Sequence, residues 1–205
     1  MTTARDATGS RLGRRNDPDR RDRIVAACLE VIAHVGVAGT SHRKVAAEAG
    51  VPLGATTYYF DGMDGLLREA FTRFATTVSD RFTQRMSEAT DIDAARAAVV
   101  AIILEDVYGD DRELILSHEL YTLAAREPAY RSITAEWMQR SRTALERHFD
   151  PDTARMLDAL IEGLTIHRAL DAHARDPREV ADAVARITAT RHEAAQRDGM
   201  NDGAD

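Results

Sequence analysis

Apolar residues recur every three or four positions along most of this 205-residue chain, and no stretch alternates apolar and polar residues as a half-exposed strand would. The pattern predicts an all-α protein. Segments containing Gly, Pro, Asp or Ser separate the predicted helices. The predicted helices cover residues 19–35, 40–50, 52–60, 64–86, 91–107, 112–126, 130–149, 151–174 and 177–196.

Residues 40–67, TSHRKVAAEAGVPLGATTYYFDGMDGLL, carry the pattern of two short helices joined by a tight turn. Gly50 follows the first helix, where a left-handed C-terminal cap favours a residue without a Cβ atom. Pro52 suits the first position of the second helix, because its φ angle is already near the helical value and its missing N–H is not needed there. Asp61 and Asp64 suit the start of a third, longer helix. Helix, short turn and helix form the helix-turn-helix unit, whose second helix enters the DNA major groove.

The same region resembles the N-terminal domain of the TetR family of transcriptional regulators. The residues that carry the resemblance are Gly36, Thr40, Ser41, Val45, Ala46, Ala49, Gly50, Val51, Gly54, Tyr59, Phe60, Leu66 and Leu67. The sequence departs from the family at three positions: Pro52 replaces a usual Ser, Thr57 replaces a phosphate-contacting Tyr, and Met63 replaces a Lys. The resemblance implies a three-helix DNA-binding domain followed by a larger helical domain that binds a small molecule and dimerises.

Four segments are expected from these observations. Residues 1–18 form a disordered basic arm, and residues 19–62 form the DNA-binding domain. Residues 63–197 form the ligand-binding and dimerisation domain, and residues 198–205 a disordered tail.

The net charge of −7 is unevenly distributed. Residues 1–62 contain nine Lys and Arg against seven Asp and Glu, whereas residues 63–205 contain 18 against 27. The positive charge therefore lies with the DNA-binding motif, where it attracts phosphates. The arginines available near the first helix are Arg11, Arg14, Arg15, Arg20, Arg21 and Arg23.

Eleven residues of the motif are expected to contact DNA. The start of the second helix offers hydroxyls and N–H groups to a phosphate, followed by two cations. The recognition helix offers apolar groups to thymine methyls, and hydroxyls to phosphates. The expected DNA-binding residues are Thr40, Ser41, Arg43, Lys44, Pro52, Leu53, Ala55, Thr56, Thr57, Tyr58 and Tyr59. Tyr59 fits either DNA contact or the core, and Phe60 fits the core.

The predicted helix 151–174 is apolar around much of its circumference, which indicates burial on two sides. One side would face the domain core, and the other would pack with the last helix against a second subunit. The expected interface residues are Leu157, Leu160, Ile161, Leu164, Val180, Val184 and Ile187. Such a homodimer would place two recognition helices roughly 34 Å apart and require a palindromic operator.

Aromatic and polar residues of the larger domain form a candidate set for an apolar pocket with a few polar groups. The set consists of Phe74, Phe82, Tyr108, His118, Tyr121, Trp137, Met138, Arg142 and His167. The resemblance implies that an unknown small-molecule effector binds between these helices and moves the long helix that links the domains.

Other chemistry receives weaker support. His167, Asp171 and His173 have spacing suited to a metal ion, but solvated or core side chains explain them better, so no metal and no cofactor are expected and a metal-responsive regulator is the minor alternative. The neighbours Ser117, His118 and Glu119 point in different directions on a helix and do not form a catalytic line. The single cysteine, Cys28, lies among apolar residues and is expected in the core.

The sequence thus predicts a ligand-responsive transcriptional regulator, a repressor, and not an enzyme. Its expected partners are an operator in double-stranded DNA, an effector and a second copy of itself. No secretory signal or membrane span is predicted, so the expected location is the cytoplasm. The alternative is a helical small-molecule-binding or interaction module that no longer reads DNA specifically.

Overall fold

The structure is a computed structural model that describes residues 19–107, 111–173 and 176–189. Within these ranges it contains nine α-helices, one short π-helical segment and no strand, which confirms the all-α prediction. The helices are α1 (Arg20–Gly39), α2 (His42–Glu48), α3 (Leu53–Tyr59), α4 (Gly62–Ser87), α5 (Ile92–Ala101), α6 (Asp111–Arg126), α7 (Pro128–Leu145), α8 (Pro151–Leu170) and α9 (Pro177–Thr188), with the π segment at Ile102–Asp106. The predicted arm at 1–18, the predicted tail at 198–205 and Tyr108 lie outside the described residues.

Local sequence signals explain most of the helix boundaries. Gly36 breaks α1 with a φ of 69°, and Gly50 follows α2 with a φ of 62°, conformations that a residue without a Cβ adopts at little cost. Asp91, Asp150 and Asp176 cap α5, α8 and α9, each accepting hydrogen bonds from backbone N–H groups of the first turn.

The range 91–107 is the main departure from the predicted helices. The last turn widens into the π segment, which the apolar spacing alone does not distinguish from continued α-helix. Arg85 of α4 holds this segment by donating from Nε and Nη2 to the carboxylate of Asp106, at 2.7 and 2.6 Å. Arg81, one turn earlier, donates to Glu113 of α6 at 2.7 Å. These charge-assisted contacts join α4 to the chain on both sides of residues 108–110.

The described residues group into two compact units that divide within α4, between Ala70 and Phe71. In the N-terminal unit α1 packs on α2, and α2 packs on α3. Glu69 of α4 pairs with Arg21 of α1, so the first turns of α4 belong to this unit. The unit's largest fully buried side chains include Ile24, Ile32 and Leu66.

Cys28 is completely buried in the N-terminal unit, as expected for a core residue. Burial raises the pKa of its thiol to about 12, so the thiolate that would react with oxidants is scarce near neutral pH. Among the described helices, none combines the length and apolar character that crossing a membrane requires.

In the C-terminal unit α7 packs on α6 and α8, and α9 packs on α5 and α8. The assignment of four residues to a dimer interface is wrong, because their side chains fill this unit's own core. These residues are Leu157, Ile161, Val180 and Val184, none of them more than 6% exposed. Leu160, Leu164 and Ile187 are only partly buried at the edge of that core, and their role in an interface stays a prediction.

Candidate DNA-binding surface and ligand cavity

The turn between α2 and α3 has the geometry of a helix-turn-helix. Val51 donates its N–H to Ala46 at 3.0 Å, which closes the end of α2 around Gly50. Pro52 has an extended ψ of 144° and is the N-cap of α3, not its first helical residue as predicted. The carbonyl of Pro52 accepts from Ala55 at 2.9 Å, so its missing N–H leaves this turn intact.

The start of α2 is organised by its own polar residues. The hydroxyl of Ser41 accepts from the N–H of Lys44 at 3.4 Å, and that of Thr40 donates to the carbonyl of Gly36 at 2.8 Å. The ammonium group of Lys44 donates to the carbonyl of Gly39 at 2.7 Å, so this cation is held at the C-terminal end of α1. Arg43 is exposed beside it.

Helix α3 presents a neutral surface. Leu53 is 52% exposed and Tyr58 is 82% exposed, while Pro52, Gly54 and Thr57 are exposed with them. Two hydroxyls on this helix donate back to its own carbonyls, Thr56 to Leu53 at 2.8 Å and Thr57 to Gly54 at 3.2 Å. Thr56 is fully buried, so its prediction as a base-reading residue is wrong: it faces the core side of α3.

Phe60 anchors the end of α3 in the core, as predicted, at 6% exposure. The guanidinium carbon of Arg21 lies 5.3 Å from the centre of the Phe60 ring, and Arg21 also pairs with Glu69. Arg21 therefore supports the packing of α1, α3 and α4 in addition to its expected attraction for phosphates. Tyr59 is half-buried, with its ring edge-on to Tyr58 at 5.1 Å.

A separate cavity of about 60 Å³ lies in the C-terminal unit. Its walls come from α4, α6, α7 and α8, together with Val107 after the π segment. They are apolar or aromatic except for two hydroxyls and two carboxylates. The lining residues are Val78, Phe82, Val107, Tyr121, Trp137, Met138, Ser141, Asp158, Ile161, Glu162 and Thr165.

The structure brings four of the predicted pocket residues to this cavity: Phe82, Tyr121, Trp137 and Met138. Phe74 and His118 do not line the cavity but contact the rings that do. The Phe74 ring is edge-on to Trp137 with ring centres 5.8 Å apart, and the ring centres of His118 and Tyr121 are 6.4 Å apart. The side chain of His118 donates from Nδ1 to the carbonyl of Leu114 at 2.8 Å. Tyr108 lies outside the described residues.

His167 is exposed and does not line this cavity, so its assignment to an effector pocket stays a prediction. It lies near the C-terminal end of α8, where its carbonyl accepts from the N–H of Asp171 at 2.8 Å. Among the described residues, no three His, Cys, Asp or Glu side chains are grouped closely enough to hold a metal ion.

Asp158 and Glu162 are the two charged residues of the cavity lining, and neither was among the predicted pocket residues. They are four residues apart on α8 and therefore share one helix face. The sequence signal for them is an acidic pair at this spacing within an otherwise apolar segment. The carboxylate of Asp158 lies 3.7 Å from the guanidinium of Arg142, the remaining predicted pocket residue. Burial raises the pKa of Asp158 to about 6, and the charge of Arg142 opposes the rise only partly.

A second depression of about 160 Å³ lies between α4 and α7. Hydroxyl and charged side chains dominate its rim, including Thr72, Thr76, Ser132, Glu136 and Arg140. The smaller cavity offers the apolar and aromatic walls that small-molecule sites usually have.

Comparison with known proteins matches both units to one family. Residues 24–70 match the model of bacterial regulatory proteins of the tetR family, and residues 90–190 match the tetracyclin repressor-like C-terminal domain. The HTH-type regulator BetI 2 of Chromohalobacter salexigens is 36% identical over 87 residues, which is 42% of this chain and 42% of the regulator. This chain thus aligns with less than half of that regulator's length.

Solved structures extend the similarity over most of the chain. SCO7518 of Streptomyces coelicolor A3(2), a proposed transcriptional regulator, is 54% identical with a TM-score of 0.79, covering 84% of this chain and all of that one. The multidrug binding protein EbrR, solved with imidazole, is 35% identical with a TM-score of 0.73, covering 85% of this chain and 97% of its own. EbrR has also been solved with ethidium, proflavin and malachite green. The helix-turn-helix geometry and both family matches agree, and the chain belongs to the TetR family of bacterial transcriptional regulators.

Proposed function

We propose that this regulator is a dimeric repressor that binds a palindromic operator through the exposed surface of α3 and releases it when an effector enters the cavity. The observation that carries the DNA-binding part is the neutral exposed surface of α3, formed by Leu53, Gly54, Thr57 and Tyr58, beside the exposed cation of Arg43. Apolar and hydroxyl groups on a recognition helix meet base edges and phosphates, and neighbouring cations supply the attraction. The protein would act in the cytoplasm, where bacterial operators are found.

The effector site is the cavity beside α4. Val78 and Phe82 of α4 form part of its wall, and Arg85 of the same helix is paired with Asp106. A ligand that prefers one position of these residues over another shifts the population of α4 positions, and α4 continues to Gly62 beside the DNA-binding motif. The EbrR complexes with aromatic compounds support the binding of a ligand beside Phe82, Tyr121 and Trp137 in this cavity.

The dimer contact would use the outer side of α8 with α9. Met156 is 49% exposed. Leu160, Leu164 and Ile187 are apolar residues whose side chains the unit's own core covers only in part. An added Cβ on Gly163 would meet no atom within 4 Å, so a partner helix has room to approach there. Isologous pairing of this surface produces the twofold symmetry that a palindrome requires.

The test measures binding of the purified chain to short duplexes that tile the DNA upstream of its own gene. We expect one tile with a palindrome to bind at least about a thousandfold more tightly than a shuffled duplex, with affinity falling steeply as salt rises. Analytical ultracentrifugation is expected to give an even number of protomers per operator.

An Arg43→Ala variant is expected to weaken operator binding by about 1–3 kcal/mol, and Arg155→Ala on α8 serves as the matched control. Equal affinity for every tile and for shuffled DNA would refute the repressor and favour the alternative, a helical binding module without specific DNA recognition.

A further inference from the structure

The charged side chains that line the effector cavity are all acidic. Among the described residues that form its walls, two are acidic and none is basic. The hydroxyl of Thr165 donates to the carbonyl of Ile161 at 2.7 Å, and that of Ser141 lies 3.4 Å from the carbonyl of Trp137. These hydroxyl protons are already engaged by the backbone, so Asp158 and Glu162 are the strongest polar groups that the cavity presents.

Asp158 is not well neutralised by its neighbour. Its side chain is only 22% exposed, and the nearest Arg142 nitrogen stands 3.7 Å from Oδ2, longer than a hydrogen bond. Arg142 also lies 3.5 Å from the side-chain oxygen of Gln139, so its charge is shared. A partly buried carboxylate in this position gains more from a second, closer cation than an exposed one would.

The aromatic walls favour the same kind of ligand. The rings of Tyr121 and Trp137 are nearly parallel, at 26°, with centres 6.0 Å apart, and Phe82 lies in the same lining. Aromatic rings pack against apolar surface and also attract cations. Anionic ligands would be repelled by the two carboxylates of the lining.

We propose that the effector is an organic cation with a flat aromatic body, that Asp158 is its counter-ion, and that the bound ligand replaces Arg142 as the cation closest to Asp158. The proposal rests on the proposed function, since it names the effector class of that site. The cavity of about 60 Å³ is smaller than such a molecule, so its walls must separate on binding. Movement of Arg142 on α7 away from Asp158 on α8 is part of that separation.

Among the described residues that line or border the cavity, the charged and titratable groups near Asp158 lie on α6, α7 and α8. Arg142 faces it from α7, Glu162 follows it on α8, and α6 contributes the phenol of Tyr121 with His118 behind that ring. The wall from α4 is apolar, formed by Val78 and Phe82. Cation binding is therefore expected to weaken as the pH falls from 8 to 5, because protonated Asp158 no longer attracts the ligand.

The test compares two flat tricyclic probes of similar shape and opposite charge, 10-methylacridinium and anthracene-9-carboxylate. Binding to the full-length chain is followed by the fluorescence of Trp137, its single tryptophan. At pH 8 we expect the cation to bind at least about tenfold more tightly than the anion. Asp158→Asn is expected to remove most of this preference, and Arg142→Gln to strengthen cation binding, because the competing guanidinium is gone.

Asp152→Asn is the matched control, since that carboxylate is on the same helix, is 86% exposed and pairs with Arg155. It is expected to keep the preference of the natural chain. Equal binding of the two probes, no binding of the cation, or an unchanged preference in a folded Asp158→Asn variant would overturn the proposal. Operator binding is measured separately: specific operator binding that a neutral compound releases would keep the repressor and reject the cationic effector.

Discussion

Thr56 and Tyr58 lie two residues apart on α3, yet Thr56 is completely buried and Tyr58 is 82% exposed. Two residues correspond to a rotation of about 200° around a helix, so the two side chains point to opposite sides. The hydroxyl of Thr56 donates to Leu53 within its own helix. Contact with DNA is therefore expected from Tyr58 and its exposed neighbours.

Replacing Tyr58 with Phe is expected to weaken operator binding while leaving stability unchanged. The phenol hydroxyl is the only group removed, and a hydrogen bond to a charged phosphate contributes about 1.5–3 kcal/mol. Fluorescence anisotropy with the operator tile measures the affinity, and urea denaturation measures the free energy of unfolding. Tyr59→Phe is the comparison variant: Tyr59 is half-buried, so a smaller loss of operator affinity is expected there than for Tyr58→Phe. If Tyr58→Phe and the natural chain bind the operator equally, Tyr58 makes no hydrogen bond to DNA.

A methyl group at position 54 is expected to separate folding from DNA binding. An added Cβ on Gly54 would meet no atom of the chain within 4 Å, and its φ is not in the left-handed region. Gly54→Ala should therefore stabilise the chain by about 0.5–1 kcal/mol, since Gly costs backbone entropy in a helix. Operator affinity should fall by about tenfold, because the methyl group occupies the DNA-facing surface beside Leu53.

Gly50→Ala provides the contrasting variant. Gly50 has an equally open surrounding but a φ of +62°, so Ala there is expected to destabilise the chain by about 1 kcal/mol. Thermal and urea denaturation distinguish the two variants. If Gly54→Ala binds the operator with the same affinity as the natural chain, α3 contacts DNA through residues other than those around position 54.

The helix-turn-helix could be predicted from sequence because its signals are local. Gly50 supplies the left-handed turn and Ser41 the cap, and each acts within a few residues of its own position. The orientation of Thr56 could not be predicted in this way. A seven-residue helix with small and hydroxylated side chains has no clear apolar face, so only its packing decides which hydroxyl is buried.

In the C-terminal unit the sequence pattern identified the helices but not what covers them. Leu157 and Leu160 are both apolar residues of α8, yet one is fully buried in the unit's core and the other lies at its edge. Ile161, expected at an interface, instead lines the cavity beside Asp158. Such assignments depend on contacts between helices far apart in sequence, which helical periodicity does not contain.

The carboxyl group of Asp158 also makes stability depend on pH. Its pKa is raised to about 6 in the folded chain by burial, above the value of about 3.9 for an exposed Asp. Between these two values the folded chain binds more protons than the unfolded chain. The contribution of Asp158 to the free energy of unfolding therefore falls as the pH rises from about 4 to about 6, and it remains lower above that.

Asp158→Asn is accordingly expected to stabilise the chain at pH 8 and to have little effect at pH 4.5. The gain in the free energy of unfolding at pH 8 should be about 1 kcal/mol. This is less than the free energy that corresponds to the whole pKa shift, because the side chain is partly exposed and because Arg142 loses its attraction to Asp158. Urea denaturation of both chains at the two pH values measures the difference. Asp152→Asn, whose side chain is 86% exposed, is expected to change stability equally at both. A gain for Asp158→Asn that is larger at pH 4.5 than at pH 8 would contradict the raised pKa and, with it, the need of this carboxylate for a cation.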